Sequence, residues 1–195
     1  VSGKIIYQQT LSNAAYRKID KYVVENNLHY NAVDVEGNTF TSNRDFIDKY
    51  TVLQAFENNK GLIIKNPDEL PNDFEIVKAI LNEDGSKLDA ITPEVNRIFG
   101  KNYYVVRTDV GFLEIMPQHV NKGNGLLHLA KYLEIGIDDT LAIGDGENDI
   151  PMLEQAGVAV VMENANDSIK KIADFVTTNN NESGIAKAFE KYNLN

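Results

Sequence analysis

Thr140-Leu-Ala-Ile-Gly-Asp-Gly-Glu-Asn-Asp-Ile-Pro-Met-Leu153 runs from a short apolar stretch into two glycines and two aspartates, and then into residues of helical character. Leu141, Ala142 and Ile143 suit a strand buried on both faces. The glycines flanking Asp145 let the backbone turn sharply and come close to a ligand. Asp145 is therefore expected at the carboxyl end of a parallel strand, where open α/β sheets bind their ligands.

Outward from this stretch, the residues after Pro117 alternate strictly between helix and strand patterns. Helices are predicted over Asn121–Leu133, Ile150–Gln155, Asp167–Ala173 and Gly184–Tyr192, and strands at Thr140, Val158–Met162 and Phe175–Thr177. That order predicts an α/β fold with a partial doubly wound, Rossmann-like parallel sheet. Residues 11–117 differ in kind. A helix with Ala15, Ile19, Tyr22 and Val23 on one face and Ser12 or Asn13 as cap precedes a hairpin over His29–Val35 and Thr39–Thr41, turning at Glu36-Gly-Asn. A helix capped by Ser42 or Asn43 over Arg44–Asn58, a loop over Asn66–Asp73, a central strand over Phe74–Leu81 and a helix over Pro93–Phe99 follow. A second hairpin, Tyr103–Asp109 with Phe112–Met116, turns near Val110-Gly111. This is an inserted α+β unit. Lys4–Gln8 reads as a strand, so the expected division is 1–10 as a core strand remnant, 11–117 as the insert and 118–195 as the C-terminal part of the core.

Composition narrows the function classes. Twenty-nine acidic against 19 basic residues give a formal charge of −10, which disfavours nucleic acid as a partner. With no cysteine, disulfides, thiol catalysis and thiolate metal sites are excluded, so a metal needs oxygen or imidazole ligands. No apolar run approaches the roughly 20 residues that span a bilayer, and no signal peptide is visible, which points to a cytoplasmic protein without a membrane partner.

Three polar residues converge where the Leu141 strand ends. Asp145, Asn148 and Asp149 supply two carboxylates and an amide to one crevice, as a hard cation such as Mg²⁺ requires. Asp149 also fits as N-cap of the helix at Ile150-Pro151, and Asn148 as a turn residue. Asp145 has neither alternative, and an unpaired carboxylate after an apolar strand is costly unless it binds something. Lys122 stands in the first turn of a helix expected to bury Leu126, Leu129, Ala130 and Leu133. A cation is disfavoured there unless an anion lies nearby.

Lys122-Gly-x-x-Leu followed by Gly144-Asp-Gly-x-Asn-Asp149 resembles the third and fourth motifs of the haloacid dehalogenase superfamily, in its Cof-type sugar phosphatase branch. Phe112-Leu-Glu-Ile-Met-Pro and Ala156-Gly-Val-Ala-Val-Val-Met-Glu-Asn-Ala are similar to that branch as well, and the α+β insert resembles its large cap. The resemblance implies a Mg²⁺-dependent phosphatase of small phosphorylated metabolites that works through an aspartyl-phosphate. Lys122 would hold the charges of nucleophile and phosphate together, Asp145 would ligate Mg²⁺, and Asn148 and Asp149 would orient or support that shell, with Asp149 as a second metal candidate.

The family's Asp-x-Asp-x-Thr nucleophile motif and its Ser/Thr phosphate-binding motif do not occur ahead of the insert. Asp34-Val-Glu-Gly-Asn-Thr39 has Glu for the second Asp and one residue too many before Thr, and reads as a turn. The expectation is a fragment whose nucleophile lies upstream, in an N-terminal part of the same protein that completes the core. Alone it would be inactive, and its uncovered edge would favour a homo-oligomer or a fragile fold. The alternative is a noncatalytic phosphate- and metal-binding module. A cation-pumping ATPase with a similar acidic loop is excluded by the lack of membrane spans. Arg44, Arg107, Glu114, Gln118 and His119 are polar residues on segments that could meet a leaving group, while His29 and His128 read as structural.

Overall fold

The computed structural model describes residues 4–57 and 59–194, and the chain divides into two compact units, residues 9–119 and residues 1–8 with 120–195. In the first unit a short strand β1 (Leu11–Ser12) leads into α1 (Asn13–Glu25), which starts where the Ser12 hydroxyl accepts from the Ala15 N–H. Helical spacing puts Ala15, Tyr16, Ile19, Tyr22 and Val23 on the buried face. The hairpin β2 (Tyr30–Asp34) and β3 (Thr39–Thr41) forms as predicted, with Ala32 opposite Phe40. Its turn is built by Asp34, whose Oδ1 accepts from the N–H groups of Glu36 and Asn38 at 2.9 and 2.8 Å, while Gly37 supplies a φ of +85°. The Asp34 motif is therefore a turn, as its spacing indicated.

The helix expected over Arg44–Asn58 is two pieces. A 3-10 turn at Arg44–Phe46, capped by Asn43, gives way at Ile47 to extended backbone, and α2 (Lys49–Glu57) starts afresh where Asp48 Oδ1 takes the Thr51 N–H at 2.8 Å. Asn58 lies outside the described residues. Strand β4 (Leu62–Ile64), too short to stand out in the sequence, runs parallel to β3 at the sheet edge. The predicted Asn66–Asp73 loop contains a 3-10 turn, Pro67–Glu69, and leads to the inner strand β5 (Glu75–Asn82). Helix α3 (Gly85–Phe99) starts two turns before the expected Pro93, which lies inside it. Proline removes one N–H bond, to the carbonyl of Asp89, and Asp89 is solvent-exposed, so water can satisfy that group. The hairpin β6 (Tyr103–Asp109) and β7 (Phe112–Pro117) completes a seven-stranded sheet of order β4-β3-β2-β5-β7-β6, with β1 also paired to β5. Its core joins Tyr16, Ile19, Tyr30, Ile76, Leu81, Leu88, Leu113 and Ile115.

The second unit is a parallel α/β sheet. Helix α4 (Lys122–Tyr132), capped by Asn121, is followed by β8 (Leu141–Gly144), α5 (Ile150–Leu153), β9 (Val158–Met162), α6 (Asp167–Lys170), β10 (Phe175–Thr177) and α7 (Gly184–Lys191). The strands lie in the order β10-β9-β8, all parallel, and Ala142, Leu153, Ala159, Val161 and Ile169 form the core. Two expectations fail here. Residues 4–8 form no strand; instead the Tyr7 ring stacks on His128 of α4, with centroids 3.8 Å apart. Of the stripe expected on α4, only Ala130 is buried, while Leu129 and Leu133 are 45% and 52% exposed. The helix meets α5 at Gly123, where any Cβ would fall 2.3 Å from the Pro151 carbonyl oxygen, so contact is made through backbone and not through leucines. Among the described residues no helix is long and apolar enough to cross a membrane.

Candidate active site

Strand β8 ends at Gly144, and the chain passes through Asp145 and Gly146 into a 3-10 turn, Glu147–Asp149, that feeds α5. The turn folds back on the strand end. Asp149 Oδ2 accepts from the backbone N–H groups of Asp145 at 2.9 Å and Gly146 at 3.0 Å, and its Oδ1 accepts from Lys122 Nζ on α4. The conflict posed by a lysine in a first helical turn is resolved by this carboxylate, whose side chain is 6% exposed against 50% for Lys122. The cap reading of Asp149 is corrected: its side chain reaches backwards onto the strand end and bonds no N–H of α5. Of the two flanking glycines, Gly144 serves space and not torsion. Neither has a positive φ, but a Cβ on Gly144 would lie 2.5 Å from Asp149 Cβ.

Asp145 itself is exposed, so the desolvation argument for an occupied site does not apply to it. Its Oδ2 accepts from Asn164 Nδ2 at 2.7 Å, and Asn164 Oδ1 accepts from the Asn180 N–H at 3.3 Å. Asn164 stands within the Met-Glu-Asn-Ala stretch after β9; its contact with Asp145 follows from strand order, which sequence spacing alone does not give. Asn148 is half-buried and folds over Gly146, where an added Cβ would come within 2.7 Å of its Oδ1. Among the described residues no three His, Asp or Glu side chains cluster as a complete metal site. The donor set still suits Mg²⁺, which binds through one or two carboxylates and keeps several waters beside phosphate oxygens. Asp145 at an open strand end provides one such carboxylate.

Burial would raise the Asp149 pKa, but the hydrogen bond from the Lys122 ammonium, followed by those from the Gly146 and Asp145 N–H groups, outweighs it and holds the carboxyl below its ordinary 3.8. A carboxyl with a depressed folded pKa stabilises the fold fully above its unfolded value, and the contribution is lost as pH falls through the lower folded value. The second unit should therefore lose stability below about pH 4, and Asp149→Asn should flatten that limb of an acid-unfolding curve followed by circular dichroism. Because Lys122 is half exposed, added salt should shrink the difference.

Of the remaining polar candidates, Arg107, Glu114 and Gln118 bond to other residues of the first unit. Arg107 binds Asp89 Oδ1 at 2.9 Å and the Val110 carbonyl at 2.6 Å, bracing the β6–β7 turn. Glu114 pairs with Lys78 across neighbouring strands at 2.8 Å, Gln118 donates to the Lys101 carbonyl, and Arg44 lies in the exposed 3-10 turn. His119 adopts a left-handed φ of 72° after β7. His29 contacts Glu83 Oε1 at 3.2 Å.

A sequence model of haloacid dehalogenase-like hydrolases matches residues 1–189. The chain belongs to this family. It is similar to "Putative phosphatase M6_Spy0533" of Streptococcus pyogenes, 37% identical over 194 residues that cover 100% of this chain and 71% of that protein. A crystal structure of a haloacid dehalogenase-like hydrolase from Bacteroides thetaiotaomicron is 30% identical, with a TM-score of 0.79 over 98% of this chain and 71% of that one. The fold is also shared with the "putative HAD/COF-like hydrolase from Plasmodium vivax", with a TM-score of 0.85 at 24% identity over 99% of this chain and 68% of that one.

Proposed function

We propose that these residues belong to a Mg²⁺-dependent phosphomonoesterase acting on small phosphorylated metabolites such as sugar phosphates. The observation that carries this reading is the Lys122 ammonium held on buried Asp149, which also takes the backbone N–H of Asp145 at the carboxyl end of β8. Phosphoryl transfer needs positioning and charge neutralisation above all. Asp149, tied to two backbone N–H groups, fixes where Lys122 can reach, and the free N–H directions of the ammonium are then available to an anionic acceptor and to phosphoryl oxygens. Asp145 would hold the cation, with water and substrate oxygens completing its shell, and Asn148 would line the same loop. When bound, Mg²⁺ neutralises phosphoryl charge and orients the group for in-line attack.

The acceptor in this proposal is the first aspartate of an Asp-x-Asp-x-Thr segment that is not among these 195 residues. Its carboxylate oxygen bonds to phosphorus as the ester oxygen leaves and takes a proton from the second aspartate. Water, giving a proton back to the second aspartate, then attacks the phosphorus of the acyl-phosphate as its bond to the carboxylate oxygen breaks, which releases inorganic phosphate and restores both aspartates. Phosphate release from a panel of phosphorylated metabolites tests this. The 195 residues alone should show no turnover, and the same residues joined to such a segment should show Mg²⁺-dependent turnover. Turnover by the 195 residues alone would place the acceptor within them, and no turnover by either form would favour a noncatalytic phosphate-binding module.

A further inference from the structure

The carboxyl ends of the three parallel strands carry a polar relay whose members beyond Asp145 have no part in the reaction above. In register, Gly144 of β8 stands beside Val161 of β9, and Met162 of β9 beside Thr177 of β10. The residues just beyond these ends are Asp145, Asn164 and Asn180, and they are hydrogen-bonded in that order. A carboxylate has no proton to donate and a backbone N–H has no lone pair to offer. The Asn164 amide therefore has one orientation that satisfies both neighbours: Nδ2 towards Asp145 and Oδ1 towards Asn180.

We propose that Asn164 is a positioning residue for the Asp145 carboxylate, occupying Oδ2 and directing Oδ1 to a divalent cation; the inference rests on the reading of Asp145 as the metal-bearing residue. An exposed aspartate samples several rotamers, and a site built on few carboxylates loses affinity in proportion to the time its ligand atom is misdirected. Asn164 removes that freedom from one side. Its amide nitrogen, the atom turned to Asp145, has no lone pair to give a cation, so on that side it can only orient the carboxylate. The relay also ties the aim of Asp145 to the loop after β10, where a 3-10 turn spans Asn180–Glu182 and Ser183 adopts a left-handed φ of 57°.

The test uses Mn²⁺ as a paramagnetic probe of the 195-residue protein, read from backbone amide NMR signals of residues 144–149, together with the thermal midpoint of each variant. The parent should show broadening centred on these residues, and Asp145→Ala should abolish it. Asn164→Ala should raise the Mn²⁺ concentration for half-effect about tenfold with the thermal midpoint unchanged, and Asn164→Asp, which cannot donate to a carboxylate, should not restore the parent value. If Asn164→Ala leaves the Mn²⁺ titration unaltered while Asp145→Ala abolishes binding, the positioning role falls and the metal reading stands. Tighter binding by Asn164→Asp would instead make residue 164 a ligand and overturn the proposal. Absence of broadening near Asp145 in the parent would overturn both.

Discussion

Asp145→Ala, made in the form joined to an Asp-x-Asp-x-Thr segment, should reduce phosphate release by about a thousandfold or more and abolish its response to Mg²⁺. The substitution is unusually clean. Asp145 is exposed, so no core packing is lost, and the backbone N–H through which residue 145 holds Asp149 survives in alanine. The Lys122–Asp149 pair and β8 should stay in place, and the thermal midpoint should move little. Initial rates across a Mg²⁺ titration separate the outcomes: a steep loss at every concentration supports ligation by Asp145, whereas an unaltered rate removes Asp145 from the site.

Lys122→Met should have an effect of similar size on turnover, about a hundredfold to a thousandfold, and should also destabilise the second unit. The reason for the second effect is Asp149. Without the ammonium, a carboxylate with 6% of its side chain exposed keeps only two backbone N–H partners, and its burial is no longer offset. Asp149→Asn in the Lys122→Met background should therefore recover part of the lost stability without recovering activity. The two substitutions should also be strongly non-additive in rate, because Asp149 acts through Lys122. Additive rate losses in the double variant would show that Asp149 has its own contact with the reacting groups.

The parts of the fold legible in the sequence were those where one local signal decides the structure. The two hairpins carry turn residues between short apolar runs, and Asp34 closes its turn with bonds to Glu36 and Asn38 that any Asp-x-x-Gly turn could predict. The β8–α5 passage was legible because an apolar run meeting glycine and aspartate has few structural solutions. Elsewhere local signals compete, and tertiary context decides. Proline is common in a first helical turn, and its interior place in α3 is tolerated because Asp89, whose carbonyl loses its N–H partner, lies at the exposed surface. Strand β4 has three residues and takes its identity from pairing with β3. In the site, the Lys122–Asp149 pair follows from the need for an anion near a helix start, whereas the exposure of Asp145 and its bond to Asn164 depend on how strands β8 and β9 are ordered.

The close approach of Gly144 to Asp149 has a genetic consequence. Each amino acid reachable from a glycine codon by a single base change carries a Cβ, and at this position that atom would come within 2.5 Å of the Asp149 Cβ. At Gly125, with nothing within 4 Å, the same base changes meet open space. In a selected library of this chain, codon 144 should emerge nearly monomorphic while codon 125 drifts freely, so that a residue with no side chain leaves the sharper imprint on which variants survive.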